Sequence, residues 1–262
     1  MQNKLFRLSM VAALAGFLFG FDTVVISGAD QKLQTLWQST DFFHGTVVMG
    51  MALWGTVIGA LFGGWPTQRI GRKKTLFWIG ILYSVSAVGS ALAQDPVSFA
   101  VFRFLGGLGI GASTIAAPAY ISEIAPAKDR GRLVGFYQFM IVFGILIAFL
   151  SNYLLEGIGP NDWRWMMGVE AFPALAYTAM VFFVPMSPRW LVSKDRVDEA
   201  ASVLQVLGSD LSIDDLVKDH AHSQSVQGLS ESVLDKKYRF PLTLAILLAF
   251  FNQFSGINAF LY

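Results

Sequence analysis

The chain has 262 residues, of which 54% are hydrophobic and only 14% are charged. Soluble domains usually carry about 25% charged residues, so this chain has too few to cover a surface that faces water. Cysteine is absent, which excludes a disulfide framework, a thiolate nucleophile and a cysteine-based metal site. The net charge of +1 gives no indication of nucleic-acid binding. The composition indicates an integral membrane protein.

Seven apolar stretches approach or exceed the roughly 20 residues that a membrane-spanning helix needs. In chain order, as spans 1 to 7, they are residues 7–29, 45–66, 75–93, 97–119, 133–155, 166–185 and 241–262. The first stretch lacks a small-residue cleavage site after a short apolar core, so we expect a retained helix rather than a cleaved signal peptide. The pattern predicts an all-α, polytopic membrane protein.

The segment between spans 6 and 7, residues 186–240, is long, polar and charged. Its stretch "VDEAASVLQVL" has helical periodicity, with apolar side chains on one face at Val197, Ala200, Ala201, Leu204 and Leu207. We therefore expect amphipathic helices that lie along one side of the membrane. The predicted domains are a six-span bundle (1–185), this helical insert (186–240) and the start of a second bundle (241–262).

The basic residues predict the orientation of the chain. Sixteen of the 19 lysine and arginine residues lie at the N-terminus, after span 2, after span 4 or in the insert. Lys32 and Arg164 lie on the opposite side, and Arg103 lies near the start of span 4. Because lysine and arginine concentrate in cytoplasmic loops, we predict a cytoplasmic N-terminus and insert, in a plasma (inner) membrane.

The position of Tyr262 within span 7 suggests a longer protein. Six spans, a long insert and the start of a seventh span match the first half of a transporter with two six-helix halves. We therefore expect a second half to follow.

Two ionisable residues stand out in the apolar spans, Asp22 in span 1 and Arg103 at the start of span 4. An ionisable group at membrane depth is costly and by default marks a function. A carboxylate and a guanidinium on neighbouring helices would compensate each other's burial. Protonation of the acid would then release the pair and couple a proton to a rearrangement. In the alternative interpretation, Asp22 lines a water-filled vestibule and Arg103 extends to the membrane interface.

Glycines recur in two spans, at Gly55, Gly59 and Gly63 and at Gly107, Gly109 and Gly111. A nucleotide-binding glycine loop follows a strand and opens a helix. These glycines instead lie within membrane-length apolar runs, which favours close packing between helices. We predict no metal site either, because the His220-x-His222 pair has no third ligand nearby and is more typical of a solvated face.

Seven motifs in chain order resemble the sugar porter family of the major facilitator superfamily. They are "GFDTVVISG" in span 1, "RIGRKK" after span 2, "RFLGGLGIG" in span 4, "PAYISEIAPAKDRGRL" after it, "WRWM" at the start of span 6, "PMSPRWL" at its end and "NQFSGINAFLY" in span 7. The resemblance covers essentially all of the chain, about half of a family member. It implies a major facilitator six-helix bundle, a cytoplasmic helical insert and the start of transmembrane helix 7.

The resemblance implies sugar contacts at Gln138 in span 5 and, in span 7, at Asn252, Gln253, Asn258 and Tyr262. Amides and phenols donate and accept hydrogen bonds as sugar hydroxyls do. Asn252 stands where the family usually has a glutamine, and its shorter side chain would change reach or sugar preference. From the residues alone, an interhelical hydrogen bond is an equal alternative for Gln138.

The resemblance also implies roles for the charged residues. Asp22 matches the position where proton-coupled members carry an acid and uniporters commonly carry a neutral residue, and Arg103 matches its partner. The proton is then the coupling ion, with no other cofactor.

At the cytoplasmic side, the resemblance implies a gate held by acid–arginine pairs, formed here by Arg72, Glu123, Arg130 and Arg132. The chain departs from the pattern at Gln68 and Met186, each of which stands where the family often has an acid. Surface ion pairs are worth about 0–1 kcal/mol each, so losing two acids would loosen the gate. In the alternative interpretation, the basic residues only set the topology.

The predicted function is alternating-access transport of a monosaccharide-type sugar with protons. The alternatives are a sugar uniporter, which Asp22 disfavours, and a transporter-like sensor that binds without turnover. We expect no enzyme, because no Ser/His/Asp set, pair of catalytic carboxylates or metal cluster was identified in the spans. The expected partners are the sugar and the lipid bilayer, without nucleic acid, and the full-length protein is expected to be a monomer.

Overall fold

The computed structural model describes residues 2–207, 212–227 and 236–254, and in these ranges the chain is helical without a strand. The helices are Gln2–Val25, Asp30–Trp37, Asp41–Phe43, Met51–Phe62, Gly64–Arg69, Arg72–Leu92, Pro96–Ile124, Ala127–Leu155, Asp162–Gly168, Ala171–Phe182, Pro188–Val192, Val197–Leu207, Ile213–Gln227 and Arg239–Phe254. Two 3-10 turns, Ile26–Gly28 and Lys236–Tyr238, and a π-helical segment, His44–Met49, complete them. The all-α prediction is confirmed for the described residues.

Within the described residues, six helical segments are long and apolar enough to cross a membrane, and they match predicted spans 1 to 6. Their bounds are Lys4–Gly28, Asp41–Phe62, Arg72–Leu92, Pro96–Ile124, Lys128–Leu155 and Asp162–Phe182. Span 4 continues past Pro118 to Ile124, beyond the predicted end at residue 119. Proline is tolerated inside such helices because neighbouring groups satisfy the carbonyl that it leaves free. Of predicted span 7, the described part includes a shorter apolar helix, Arg239–Phe251.

A short turn makes spans 3 and 4 antiparallel neighbours. The Asp95 carboxylate caps span 4 by accepting the backbone N–H groups of Val97 and Ser98 at 3.0 and 2.9 Å, and Pro96 occupies the first turn. The hydrogen bonds from Ser98 lower the pKa of the exposed Asp95. Local sequence thus fixes where this helix begins.

Glycine faces bring spans 2 and 4 into backbone contact. A Cβ added at Gly55 would lie 3.0 Å from the Cα of Gly107, and one added at Gly59 would lie 3.0 Å from the Cα of Leu108. Gly111 likewise faces the backbone of span 2, whereas Gly109 faces span 3. The predicted packing role of these glycines is confirmed.

The chain divides into two compact units, Met1–Ile213 and Asp214–Tyr262. The first unit holds the six spans and also the first helices of the insert. Trp190, Leu191 and Val192 of the insert are buried inside this unit. On helix Val197–Leu207 the predicted apolar face is partly buried, with Ala200, Leu204 and Leu207 inside and Val197 exposed. In the second unit, His220 and His222 lie on helix Ile213–Gln227.

The two ends of the six-span bundle differ in charge. We call one of them the basic end; it holds the starts of spans 1, 3 and 5 and the ends of spans 2, 4 and 6. Its basic residues include Lys4, Arg7, Arg69, Arg72, Lys73, Lys74, Lys128, Arg130 and Arg132. At the opposite end, Lys32 Nζ forms an ion pair with Asp162 Oδ2 at 2.6 Å, which ties the end of span 1 to the start of span 6.

Candidate functional site

Asp22 and Arg103 form an ion pair inside the six-span bundle. Their side chains are 0% and 2% exposed. Arg103 Nη1 donates to Asp22 Oδ1, and Nη2 donates to the main-chain oxygen of Asp22 at 2.9 Å. The predicted pairing is confirmed. The alternative placement, with Asp22 in a vestibule and Arg103 at the interface, does not agree with this burial.

Gly106 makes room for the Asp22 carboxylate. It lies three residues after Arg103, on the same face of span 4. A Cβ at this position would press against Ser86 Oγ and lie 3.2 Å from Asp22 Oδ2. The acid is therefore enclosed by spans 1, 3 and 4.

A second acid, Glu170, completes the site. It is 1% exposed and lies at the break in span 6, between helices Asp162–Gly168 and Ala171–Phe182. Its carboxyl group is within hydrogen-bonding range of Asp22 and interacts electrostatically with Arg103. We call Asp22, Arg103 and Glu170 the acid cluster.

Sequence reasoning missed Glu170, although the residue lies within the apolar stretch 166–185 and carries the same signal as Asp22. Counting only two ionisable residues in the spans was wrong, because Glu170 is a third. The sequence did not show that Asp22 and Glu170 are close together, because they come into proximity only through the packing of spans 1 and 6.

The chemistry of the acid cluster follows from its donors and acceptors. Ionised carboxylates only accept hydrogen bonds, so two adjacent carboxyl groups can bond to each other only when one holds a proton. Asp22 Oδ2 and Glu170 Oε1 are buried and accept no hydrogen bond from a donor in the described residues. With one proton bound, two acids and one guanidinium are electroneutral. Without it, the cluster carries a buried negative charge, which is costly.

Gln138 lies elsewhere, on the surface of the bundle. Its side chain is exposed on span 5, while the adjacent Tyr137 and the nearby Met140 are buried. No interhelical hydrogen bond of Gln138 occurs within the described residues, so that alternative has no support here. The other predicted sugar contacts fall outside what the structure describes: the side chains of Asn252 and Gln253, and the whole of Asn258 and Tyr262.

At the basic end, Glu123 joins span 4 to two other segments. Arg72 Nη2 lies 2.8 Å from Glu123 Oε1, and Arg72 Nε donates to the same oxygen at 2.9 Å. The Ser187 hydroxyl donates to Glu123 Oε2 at 2.5 Å. The predicted partners Arg72 and Glu123 are therefore in contact. Arg130 and Arg132 form no ion pair with another described residue, and their gate role stays a prediction.

Trp190 connects the segment after span 6 to the turn between spans 2 and 3 through a hydrogen bond and ring packing. Its indole N–H donates to the carbonyl of Gln68 at 2.9 Å. Gly71 has φ of 92°, and a Cβ there would lie 2.9 Å from the indole ring. Gln68 stands where the family often has an acid. Here its backbone carbonyl accepts the hydrogen bond from Trp190. Met186, at the other departure, has its sulfur 3.9 Å from Arg196 Nη1.

A groove of about 780 Å³ lies along spans 3 and 4, with Leu175 of span 6 at its edge. It contains none of the predicted sugar-binding residues, and its lining is mostly apolar, with Val85, Val88 and Phe102. An apolar lining does not replace the hydrogen bonds of sugar hydroxyls, so this groove is not the candidate sugar site.

Comparisons with known proteins agree with this architecture. The family model "Sugar (and other) transporter" matches residues 8–262. The chain is 38% identical to the glucose transport protein of Synechocystis sp., over 97% of this chain and 57% of that protein. It is 37% identical to the galactose-proton symporter of Escherichia coli K12, over 98% of this chain and 55% of that protein. The chain thus spans a little more than half the length of these relatives.

Among solved structures, the chain is similar to the xylose transporter XylE of E. coli in a partially occluded, inward-open conformation. The TM-score is 0.85 at 32% identity, over 98% of this chain and 65% of that one. The six apolar spans, the match to the family model and this structural similarity agree. The chain is an integral, multi-pass membrane protein and belongs to the sugar porter family of the major facilitator superfamily, a family of transporters and not of enzymes.

Proposed function

We propose that this chain forms the proton-coupling half of a transporter that carries a monosaccharide-type sugar together with protons. The single observation that carries the proposal is the acid cluster, in which Asp22 and Glu170 lie side by side against Arg103 inside the bundle. An intramembrane acid with a basic partner is characteristic of a proton relay. The relatives named as proton symporters of galactose, xylose and arabinose support the same function.

Coupling follows from the charge of the acid cluster. A conformation that keeps the cluster buried favours the electroneutral, protonated form, and a conformation that opens it to water favours release of the proton. If the sugar binds better to the conformation that favours the protonated form, each ligand raises the affinity for the other by the same factor. The proton is the coupling ion, and no other cofactor is required.

The sugar site in this proposal lies outside the acid cluster. Gln138 presents its amide at the bundle surface, and Asn252, Gln253, Asn258 and Tyr262 of span 7 supply further groups that match sugar hydroxyls. Neutral polar contacts bind the sugar without holding it so strongly that release becomes slow.

Alternating access also requires a gate. Arg72 and Glu123, joined by Arg130 and Arg132 in other conformations, would close the basic end. The concentration of basic residues there supports a cytoplasmic position for this end and for the N-terminus, in the plasma (inner) membrane. The complete protein is proposed to work as a monomer surrounded by lipid.

The test is uptake of radiolabelled D-xylose, D-galactose, D-glucose and L-arabinose by the complete protein in proteoliposomes under an imposed pH gradient. We expect one or more of these sugars to accumulate and the medium to become alkaline as they enter. Asp22→Asn should abolish accumulation and keep sugar exchange, because the cluster no longer cycles a proton.

Two results would contradict the proposal. Equilibrative, pH-independent uptake by the wild type would indicate a uniporter, and saturable binding without uptake would indicate a sensor. Accumulation by Asp22→Asn with undiminished alkalinisation would remove Asp22 from the coupling site.

A further inference from the structure

A second polar cluster lies next to the acid cluster. It comprises Tyr83 of span 3, Ser113 of span 4, Tyr137 of span 5 and Tyr177 of span 6, and each of these side chains is 0–1% exposed. We call it the tyrosine cluster. Four spans thus place hydroxyl groups inside the bundle, and the core side chains packed around them are mostly apolar.

The hydroxyl groups are ordered from the acid cluster towards span 5. Tyr83 lies beside Ser113 and within electrostatic range of Asp22, Glu170 and Tyr137. The Ser113 and Tyr137 oxygens are 3.4 Å apart. Ser113 uses its only proton in the 2.7 Å bond to the carbonyl of Ile110, so Tyr137 is the donor to Ser113.

Two of these hydroxyls form no hydrogen bond of normal geometry with a described residue. Neither Tyr83 nor Tyr177 has a hydroxyl partner within the described residues, although both side chains are fully buried. A buried, unsatisfied hydroxyl is destabilising, and phenylalanine, of which the chain has 23, would fill nearly the same volume without that cost. We therefore expect the Tyr83 hydroxyl to find a hydrogen-bond acceptor in another state of the site.

The protonation change of the acid cluster supplies such a partner. When the cluster loses its proton, a carboxylate oxygen of Asp22 or Glu170 becomes a stronger acceptor for the Tyr83 hydroxyl. When the cluster is protonated, that hydroxyl is available to Ser113. No bond other than hydrogen bonds is made or broken, and the tyrosine keeps its proton throughout.

Tyr137 connects this cluster to the surface position proposed to bind sugar. It precedes Gln138 in span 5, and the two side chains lie on opposite sides of the helix, one buried and one exposed. Span 1 holds it closely: a Cβ at Gly16 would lie 2.7 Å from the Tyr137 carbonyl and 3.0 Å from its ring. Tyr137 thus links the tyrosine cluster to the backbone segment that carries Gln138.

We propose that Tyr83, Ser113 and Tyr137 are positioning residues that transmit the protonation state of the acid cluster to the Gln138 segment of span 5. The proposal rests on the proposed function, since it concerns how the proton and the sugar are linked. The titratable and charged groups around the relay are Asp22 of span 1, Arg103 of span 4, Tyr137 of span 5, and Glu170 and Tyr177 of span 6.

The test compares the complete wild-type protein with Tyr83→Phe, Tyr137→Phe and Ser113→Ala in proteoliposomes, with a sugar that the wild type accumulates. The readouts are protons moved per sugar, the pH dependence of the sugar KM, and sugar exchange without a gradient. Tyr83→Phe should reduce the pH dependence of KM by about tenfold, the effect of one hydrogen bond to a charged group, while exchange is retained. Tyr137→Phe loses a bond to a neutral hydroxyl and should have a smaller effect in the same direction. Ser113→Ala should act in the same direction.

Tyr153→Phe is the matched control, because Tyr153 also lies on span 5 but is 76% exposed, and it should behave as the wild type. Thermal unfolding of each variant separates a loss of fold from a loss of coupling. A wild type that moves protons, with tyrosine variants that keep its proton ratio and pH profile, would overturn this proposal alone. A wild type that moves no protons would overturn the proposed function as well.

Discussion

The bundle contains two carboxylate–guanidinium pairs in different surroundings. Asp22 and Arg103 are 0% and 2% exposed, whereas Glu123 and Arg72 at the basic end are 13% and 18% exposed. The partners of the two acids differ as well. The second oxygen of Glu123 accepts a hydrogen bond from the Ser187 hydroxyl, but Asp22 faces another carboxyl group.

This difference supports the proposed proton site at Asp22 and a structural contact at Glu123. Glu123 has a hydrogen-bond donor for each of its two oxygens, Arg72 and Ser187. Asp22 shares its surroundings with Glu170 and one guanidinium, so the group is balanced only with a proton bound. The two pairs contain an acid and an arginine, but they differ in burial and in the third residue that contacts the acid, Glu170 in one pair and Ser187 in the other.

The largest effect should come from removing the cation of each pair. Arg103→Leu leaves two buried acids without a positive charge and should lower the free energy of unfolding by about 3–5 kcal/mol. Arg72→Leu is the matched variant and should cost about 1–2 kcal/mol, because water partly screens Glu123. Thermal unfolding of the purified protein in detergent measures both. Equal losses would show that burial does not distinguish the two pairs.

An intermediate effect should follow from disturbing the basic end without touching a charge. Gly71→Ala forces a Cβ into a left-handed backbone position and against the Trp190 ring, and should cost about 1–3 kcal/mol. Proteolysis between span 6 and the insert should become faster as Trp190 loosens. Gly131→Ala, at the same end with no atom within 4 Å of its added Cβ, is the control and should be neutral. Equal sensitivity of the two variants would contradict the assigned contact.

The smallest effect should come from an exposed acid that has hydrogen-bond donors but no cation. The pKa of Asp95 is lowered by hydrogen bonds from Ser98 and Val97, so this residue stabilises the fold above the ordinary value of 3.8 and loses that contribution as the pH falls through its folded-state pKa. Asp95→Ala should lower the melting temperature slightly at neutral pH and make no difference in strong acid. A deficit that persists in strong acid would assign the effect to packing instead.

Much of this architecture could be predicted because it depends on local sequence patterns. Apolar length located six spans, and glycine spacing predicted the contact between spans 2 and 4. The resemblance to sugar porters indicated which charged residues would pair, and Asp22–Arg103 and Arg72–Glu123 do so. The span 7 positions and the gate roles of Arg130 and Arg132 stay predictions.

By itself, the sequence determined that the chain is helical, apolar and equipped with ionisable residues at membrane depth, since these properties depend on composition and short-range periodicity. Only the tertiary structure decided that Glu170 meets Asp22, that Ser187 serves Glu123, and that Tyr137 turns inward to Ser113 while Gln138 turns outward. The physical reason is that these contacts join residues far apart in the chain. These contacts are determined by the crossing angles of the helices and by the rotation of each helix about its axis. A local sequence pattern specifies neither of these.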